Sequence, residues 1–367
     1  MILGIDPSSY IELLEKGPVY TVGGEKVDPL SYFHDKNGVT VMRLRIWVDP
    51  YDENGTPYLG GTNDLKKTLL LAHMGVDRGY DLHLDFHFSD FWVDPAKQFI
   101  PKSWRGLSVE DMGKALKRHV LDTLHAFKKE HLPLKSVQIG NEITNGMLWP
   151  IAKIDHESPN EESYDALVKF LQLGREGVKE VYPGAEIMIH LERSYDQEVY
   201  REYFDALSKR GFEYDIIGLS YYPYWHHGFD EVFANIDMLQ ARYHKRIWIV
   251  ETSYGWCADK TYPNLEGQGP LVIPGLEGLY FPYPVTKEGQ KDFIHDLIVR
   301  SKEHGVEAIV YWEPMWLPLP GIAWASVEGE KYIHETQKPI VNEWANQCLF
   351  DYDGEATPAL FEYSVHF

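Results

Sequence analysis

A closed (β/α)8 barrel is the fold this sequence predicts, an α/β protein of the TIM barrel type forming a single domain over residues 1–367. Three observations carry the expectation. Eight short β-branched or apolar runs recur along the chain, and longer stretches with helical periodicity separate them. No Gly-rich phosphate loop follows the first run, which sets aside an open dinucleotide-binding sheet. No Pro/Ser-rich linker or low-complexity tract breaks the alternation, so the length calls for one large unit instead of two or three small ones.

The first strand is expected at Ile2–Asp6 and the second at Val39–Trp47. Leu65, Leu69, Ala72 and Val76 then repeat at helical spacing. The third strand, Tyr80–Phe88, alternates: Asp81, His83, Asp85 and His87 share one face, and Leu82, Leu84, Phe86 and Phe88 the other. The polar face must point into the barrel. A long amphipathic helix follows, opened by Ser108 with Asp111 three residues on and continued by Met112, Leu116, Val120, Leu124 and Phe127. Strand four is expected at Ser136–Asn141, then a helix marked by Leu167, Phe170, Leu171, Gly174 and Val178. The remaining strands are expected at Glu186–His190, Ile216–Tyr221, Arg246–Glu251 and Glu307–Trp312, with Phe293, Ile294, Leu297 and Ile298 marking the last long helix. Helices between strands imply parallel pairing, and function then belongs at the C-terminal strand ends.

Composition narrows the function. With 35 Lys+Arg against 56 Asp+Glu the net charge is −21, and 44% of residues are hydrophobic. A partner that is nucleic acid is not expected, because a phosphate-tracking groove needs a basic stripe, and an anionic membrane surface is disfavoured for the same reason. Cys257 and Cys348 are too few for a disulfide framework and lack zinc-site spacing. Met1 leads straight into Ile2-Leu3-Gly4-Ile5, with neither a basic n-region nor a long apolar stretch, so no signal peptide or membrane span is expected in this chain.

Two carboxylates stand out. Glu142 ends the run Val137-Gln138-Ile139-Gly140-Asn141-Glu142, and Glu251 ends Ile247-Trp248-Ile249-Val250-Glu251. A Glu closing an apolar strand is either ion-paired, for instance with an inward arginine such as Arg45, or at work. Two of them on separate strands favour chemistry, and a carboxylate pair at a barrel mouth suits glycoside hydrolysis without a metal or cofactor. Asn141 beside Glu142 can bond a sugar hydroxyl. His and Asp two apart on the third strand could share a metal, but no further ligands are evident, and a hydrogen-bonded layer under the site is the better reading. Trp92, Trp149, Trp312 and Trp316 lie near strand ends, where rings stack on sugar faces, and Asp90 and Asp94 can accept hydroxyl hydrogen bonds.

Together these segments resemble the arabinogalactan endo-β-1,4-galactanases, glycoside hydrolase family 53 in the large clan of (β/α)8 retaining glycosidases. The likeness runs through Gly4-Ile5-Asp6, Arg43-Leu44-Arg45-Ile46-Trp47-Val48-Asp49-Pro50, His87-Phe88-Ser89-Asp90-Phe91-Trp92-Val93-Asp94-Pro95 and Gly140-Asn141-Glu142-Ile143-Thr144-Asn145-Gly146-Met147-Leu148-Trp149-Pro150. It continues through Ser220-Tyr221-Tyr222-Pro223, Val250-Glu251-Thr252, Tyr311-Trp312-Glu313-Pro314 and Gln347-Cys348-Leu349-Phe350-Asp351. The resemblance implies Glu142 as acid/base and Glu251 as nucleophile, with Arg45, His87, Asn141, Tyr222 and Trp312 around the reacting sugar. It further implies a galactan or oligosaccharide substrate cut internally, and relatives that are mostly secreted. Rivals are another clan member acting on mannan, glucan or single galactosides, and a carbohydrate-binding barrel without turnover. Phe88 stands where the family commonly has Tyr. The loop Thr252–Val285 resembles neither the calcium-binding loop of bacterial members nor the fungal sequence, and Asp259, Glu266 and Glu277 are too scattered for a hard-ion cage, so calcium is not supported.

Overall fold

The computed structural model describes residues 1–258, 280, 282–334 and 340–365. Its centre is a closed barrel of eight parallel strands: β1 (Ile2–Asp6), β2 (Val41–Ile46), β3 (Asp81–Phe86), β4 (Ser136–Ile139), β5 (Glu186–Leu191), β6 (Ile216–Tyr221), β7 (Arg246–Thr252) and β8 (Ala308–Trp312). Each strand pairs with its sequence neighbours, and β8 pairs with β1 to close the ring. The helices that follow the strands in turn are α1 (Pro29–Asp35), α2 (Leu65–Val76), α3 (Val109–Lys129), α4 (Glu161–Val181), α5 (Gln197–Lys209), α6 (Phe229–Tyr243), α7 (Lys287–Glu303) and α8 (Pro358–Glu362). No helix among the described residues is long and apolar enough to cross a membrane.

Local signals explain the elements. The Ser108 hydroxyl caps α3 by accepting from the Asp111 N–H at 3.1 Å, satisfying an otherwise orphaned donor. Glycines let α3 and α4 approach: a Cβ on Gly177 would lie 3.0 Å from Val120 Cγ1, and one on Gly174 would lie 2.9 Å from Ile139 Cγ2 under the helices. At the far end of the chain, the Tyr363 hydroxyl lies 2.6 Å from the Gly4 carbonyl and 2.8 Å from that of Ile309, clasping the β1/β8 seam.

Strand ends fall short of the sequence expectation where local chemistry intervenes. β2 starts at Val41 and stops at Ile46, since the Trp47 N–H turns to the Asn63 carbonyl. β3 stops at Phe86, and Phe88 takes a left-handed φ of 51°. β4 stops at Ile139, because Gly140 (φ 89°) and Glu142 (φ 48°) turn the chain out of the sheet.

Inside the barrel, Val41, Met188, Ile216, Trp248, Val250, Ala308 and Val310 form an apolar plug. Above it lies a buried polar layer of Asp6, Arg43, Arg45, His83, Asp85, Gln138, His190 and Ser220. The alternation of β3 is as the sequence implies, with Leu82, Leu84 and Phe86 packed in the large cluster beneath the helices. The departure at Phe88 has a plain setting: its ring stacks on Phe86 at 5.5 Å and meets His119 edge-on, under the helices and outside the cleft lining.

Candidate active site

A bulge places Glu251. Leu219 on β6 is level with Ile249 on β7, but the next residue, Ser220, is level with Glu251, so Val250 is one residue extra. Bulges bend a strand and re-aim its side chains. Here Val250 fills the plug while the Glu251 carboxylate, the next residue along, also reaches the barrel axis. Its Oε2 accepts from Arg43 Nη1 at 2.9 Å and its Oε1 from the Tyr222 hydroxyl at 2.9 Å. Arg43 additionally bonds Asp6 at 2.8 Å, Asp85 at 2.8 Å and Asn141 Oδ1 at 2.9 Å. Burial works against the guanidinium charge, but Asp85, Glu251 and Asp6 outweigh it and hold Arg43 protonated. Burial raises the Glu251 carboxyl above its usual range, and Arg43 and the Tyr222 hydroxyl restrain the rise.

Glu142 sits in the left-handed turn after β4, a conformation of the kind that costs about 1–3 kcal/mol and persists only where neighbours enforce it. Gln98 Nε2 donates to the Asn141 carbonyl at 2.9 Å, and the Glu142 N–H points to His190 Nδ1 at 3.4 Å. Glu142 Oε1 accepts from the Ser220 hydroxyl at 2.6 Å. Oε2 has no such partner and opens to the cleft. Burial first, then the charge of Glu251, push this carboxyl well above its ordinary value; Glu192 and Asp94 add to the rise and the Ser220 bond opposes it. The surroundings favour a proton on Glu142 over Glu251, which has the Arg43 charge beside it.

The two carboxylates face a cavity of 580 Å³. His87, Trp92, Asp94, Asn141, Glu192, Arg193, Tyr195, Tyr222, Trp225, Trp312, Trp324 and Trp344 are among the residues that line it. A larger hollow of 1090 Å³ lies on the outside among Phe229, Tyr283, Val299 and Arg300, and reaches neither carboxylate. Among the described residues no group of three or more His, Cys, Asp and Glu could hold a metal ion. Asp259, Glu266 and Glu277 lie outside the described residues. No disulfide joins Cys257 and Cys348.

The sequence profile of Glycosyl hydrolase family 53 matches residues 2–362. The chain belongs to this family. It is 34% identical over 360 residues to an uncharacterized protein in the bgaB 5′ region of Niallia circulans, covering 96% of this chain and 91% of that one. It is 30% identical over 385 residues to an endo-beta-1,4-galactanase of Bacillus subtilis (strain 168), covering 99% and 86%. Among solved structures, the GH53 catalytic domain of Ignisphaera aggregans superposes with a TM-score of 0.87 at 34% identity, covering 99% of this chain and 95% of that domain.

In this family 53 chain, the residues singled out from sequence divide into two groups. Glu142, Glu251, His87, Trp92, Asp94, Asn141, Tyr222 and Trp312 come together at the cleft. Arg45, Asp90, Trp149 and Trp316 are not among its lining residues. Arg45 pairs with another buried carboxylate, Glu313, at 2.5 Å, and it is Arg43, one turn of the alternation away, that meets Glu251. Asp90 accepts from the Lys102 N–H at 2.6 Å, the Trp149 indole donates to the Asn145 carbonyl at 2.8 Å, and Trp316 is fully buried against Trp312. Sequence reading passed over Arg43, Ser220, Glu192, Trp324 and Trp344 as site residues. Arg43 alone carried a usable signal, since strand alternation turns it inward with Arg45.

Trp92 cannot offer a ring face to a sugar. Its indole stacks on Trp324 at 4.4 Å and 11°, and the Arg45 guanidinium lies 4.5 Å from its centre. Two groups that close to one ring must occupy opposite faces. Trp92→Ala is therefore expected to act on the fold, costing about 3–5 kcal/mol as large core truncations do. Thermal unfolding of the variant checks this; an unchanged melting temperature with a raised KM would return Trp92 to a stacking role.

Proposed function

We propose that this family 53 enzyme is an endo-β-1,4-galactanase acting with net retention on galactan or type I arabinogalactan. The observation that carries the reading is the buried pair at the ends of β4 and β7: Glu142 with its proton favoured and a free oxygen in the cleft, Glu251 aligned by Arg43 and Tyr222. The galactan specificity draws its support from the Bacillus subtilis relative and from an arabinogalactan endo-beta-1,4-galactanase of Cellvibrio japonicus, 32% identical over 319 residues, covering 86% of this chain and 80% of that one.

In the first step a Glu251 oxygen attacks the anomeric carbon while Glu142 gives its proton to the glycosidic oxygen, releasing the leaving chain with a free hydroxyl. In the second, Glu142, now ionised, takes a proton from water; the resulting hydroxyl displaces Glu251 and the sugar leaves with its original configuration. Two carboxyl groups suffice for both steps. Asn141, His87 and Asp94 provide polar contacts for hydroxyls at the cleft, and Trp312, Trp324 and Trp344 provide apolar surface for sugar rings.

The test is a product profile on galactan, mannan and cellulose. Galactan solutions should lose viscosity early, before reducing ends accumulate. Release of galactose alone from the first minutes, with viscosity preserved, would mean exo action, and turnover of mannan or cellulose in preference to galactan would reassign the substrate. A binding barrel would give no turnover on any of them.

A further inference from the structure

We infer that Ser220 and His190 form a directional hydrogen-bond relay that keeps the proton of Glu142 on Oε2, the oxygen facing the cleft. The inference rests on Glu142 being the acid. His190 is fully buried at the end of β5, and the Ser220 hydroxyl on β6 sits between its Nε2, at 2.8 Å, and Glu142 Oε1, at 2.6 Å.

The direction of the relay follows from its far end. Asp85 accepts from the Gln138 amide at 2.6 Å, which fixes the nitrogen side of that amide; its second N–H is shared among His190 Nδ1 at 3.0 Å, the Gly140 carbonyl at 3.1 Å and Asn141 Oδ1 at 3.3 Å. The Glu142 N–H approaches the same Nδ1 at 3.4 Å. Asn141 Oδ1 also lies 3.1 Å from Nδ1, but that oxygen already accepts from Arg43 at 2.9 Å. The backbone N–H of Glu142 has a fixed direction and is aimed at Nδ1, with the Gln138 amide nitrogen on the same side, so Nδ1 accepts. Burial and the nearby Arg43 charge hold the ring neutral, so its single hydrogen is on Nε2 and is donated to Ser220. The hydroxyl has one hydrogen left, and only Glu142 Oε1 receives it. An Oε1 that accepts from Ser220 does not carry the acid proton, which is therefore on Oε2.

The opposite tautomer shows what is at stake. With its hydrogen on Nδ1, the ring would bond Asn141, the Ser220 hydroxyl would turn to Nε2, and the Glu142 proton would have to sit on Oε1 pointing inward. No proton would then face a glycosidic oxygen. Ser220 and His190 are thus positioning residues, acting through Glu142.

The test compares Ser220→Ala and Ser220→Thr in the full chain, on galactan and on a dinitrophenyl β-galactobioside whose leaving group needs no protonation. For Ser220→Ala, kcat on galactan should fall roughly tenfold to a hundredfold, a part of what general acid catalysis contributes. The rate on the activated substrate should fall far less. Because the hydroxyl stabilises ionised Glu142, its loss should also move the alkaline limb of the pH profile to higher pH. Ser220→Thr, which keeps a hydroxyl, should recover most of the galactan rate. Equal losses on both substrates, or an alkaline limb that stays in place, overturn the relay. Glu142→Gln in parallel separates the two readings. An alkaline limb that survives in Glu142→Gln removes Glu142 as the acid, whereas one that vanishes there while Ser220→Ala matches wild type removes the relay alone.

Discussion

Replacing Glu251 by alanine should lower kcat on galactan by about 10⁴-fold or more, the scale of losing a covalent nucleophile, while sodium azide restores turnover as an α-galactosyl azide. The small anion enters the space that the carboxylate left, on the face opposite the leaving group, so a single displacement inverts the centre. Glu142→Ala should behave differently. With an activated leaving group its first step needs no acid, so the glycosyl-enzyme forms and then waits for a base that is missing. Azide, which needs no base, should release it as the β-adduct. The two variants thus give opposite stereochemistry by ¹H NMR. An azide product of β configuration from the Glu251 variant would exchange the two roles.

The second large effect is expected at Arg43. One guanidinium compensates three buried carboxylates, Asp6, Asp85 and Glu251. Arg43→Met removes the principal cation from all three, leaving Asp6 with Arg45 at 3.6 Å, Asp85 with His87 at 2.9 Å and Glu251 with the Tyr222 hydroxyl, and breaking even one buried pair costs about 3–5 kcal/mol. Two pH effects follow. Burial alone would raise the Asp85 carboxyl, but Arg43 and then His87 hold it below the usual range. A carboxyl depressed in the folded state stabilises the fold above its unfolded pKa, near 4, and that contribution is lost as pH falls towards the folded value. The variant should therefore melt lower at neutral pH than wild type, with the difference narrowing in acid. Glu251, already raised by burial, loses its main restraint and rises further. With Glu251 as the proposed nucleophile, activity on the acid side should fail as its carboxylate takes up a proton, so the acid limb should move to higher pH. Calorimetry across pH and a kcat/KM profile check the two; an unmoved acid limb would disconnect Arg43 from Glu251.

The barrel was legible because its signals are local. Apolar runs, the Ser108 cap and the β3 alternation each depend on neighbours within a few residues. Both cleft carboxylates were legible for the same reason, as charged ends of apolar strands. Arg43 and Arg45 were not distinguishable: alternation turns both inward, but which of them meets Glu251 depends on barrel register, where Arg43 is level with His83 and Arg45 with Asp85. Trp92 misleads in sequence because its covering partner Trp324 arrives from the segment after β8, and the indole donates to that residue's carbonyl at 3.0 Å. Ser220 gives no signal in the sequence, since a small hydroxyl inside an apolar strand has nothing to mark it. Its role exists only once β5 and β6 bring it between His190 and Glu142.

The extra residue at Val250 separates two tasks that a regular strand would tie together. Without it, one side chain on β7 would have to choose between filling the apolar plug and reaching the substrate. With it, the plug residue Val250 and the Glu251 carboxylate occupy consecutive positions and answer to different neighbours. A change of apolar volume at Val250 thus meets the plug directly, whereas the Glu251 carboxylate is held by Arg43 and the Tyr222 hydroxyl.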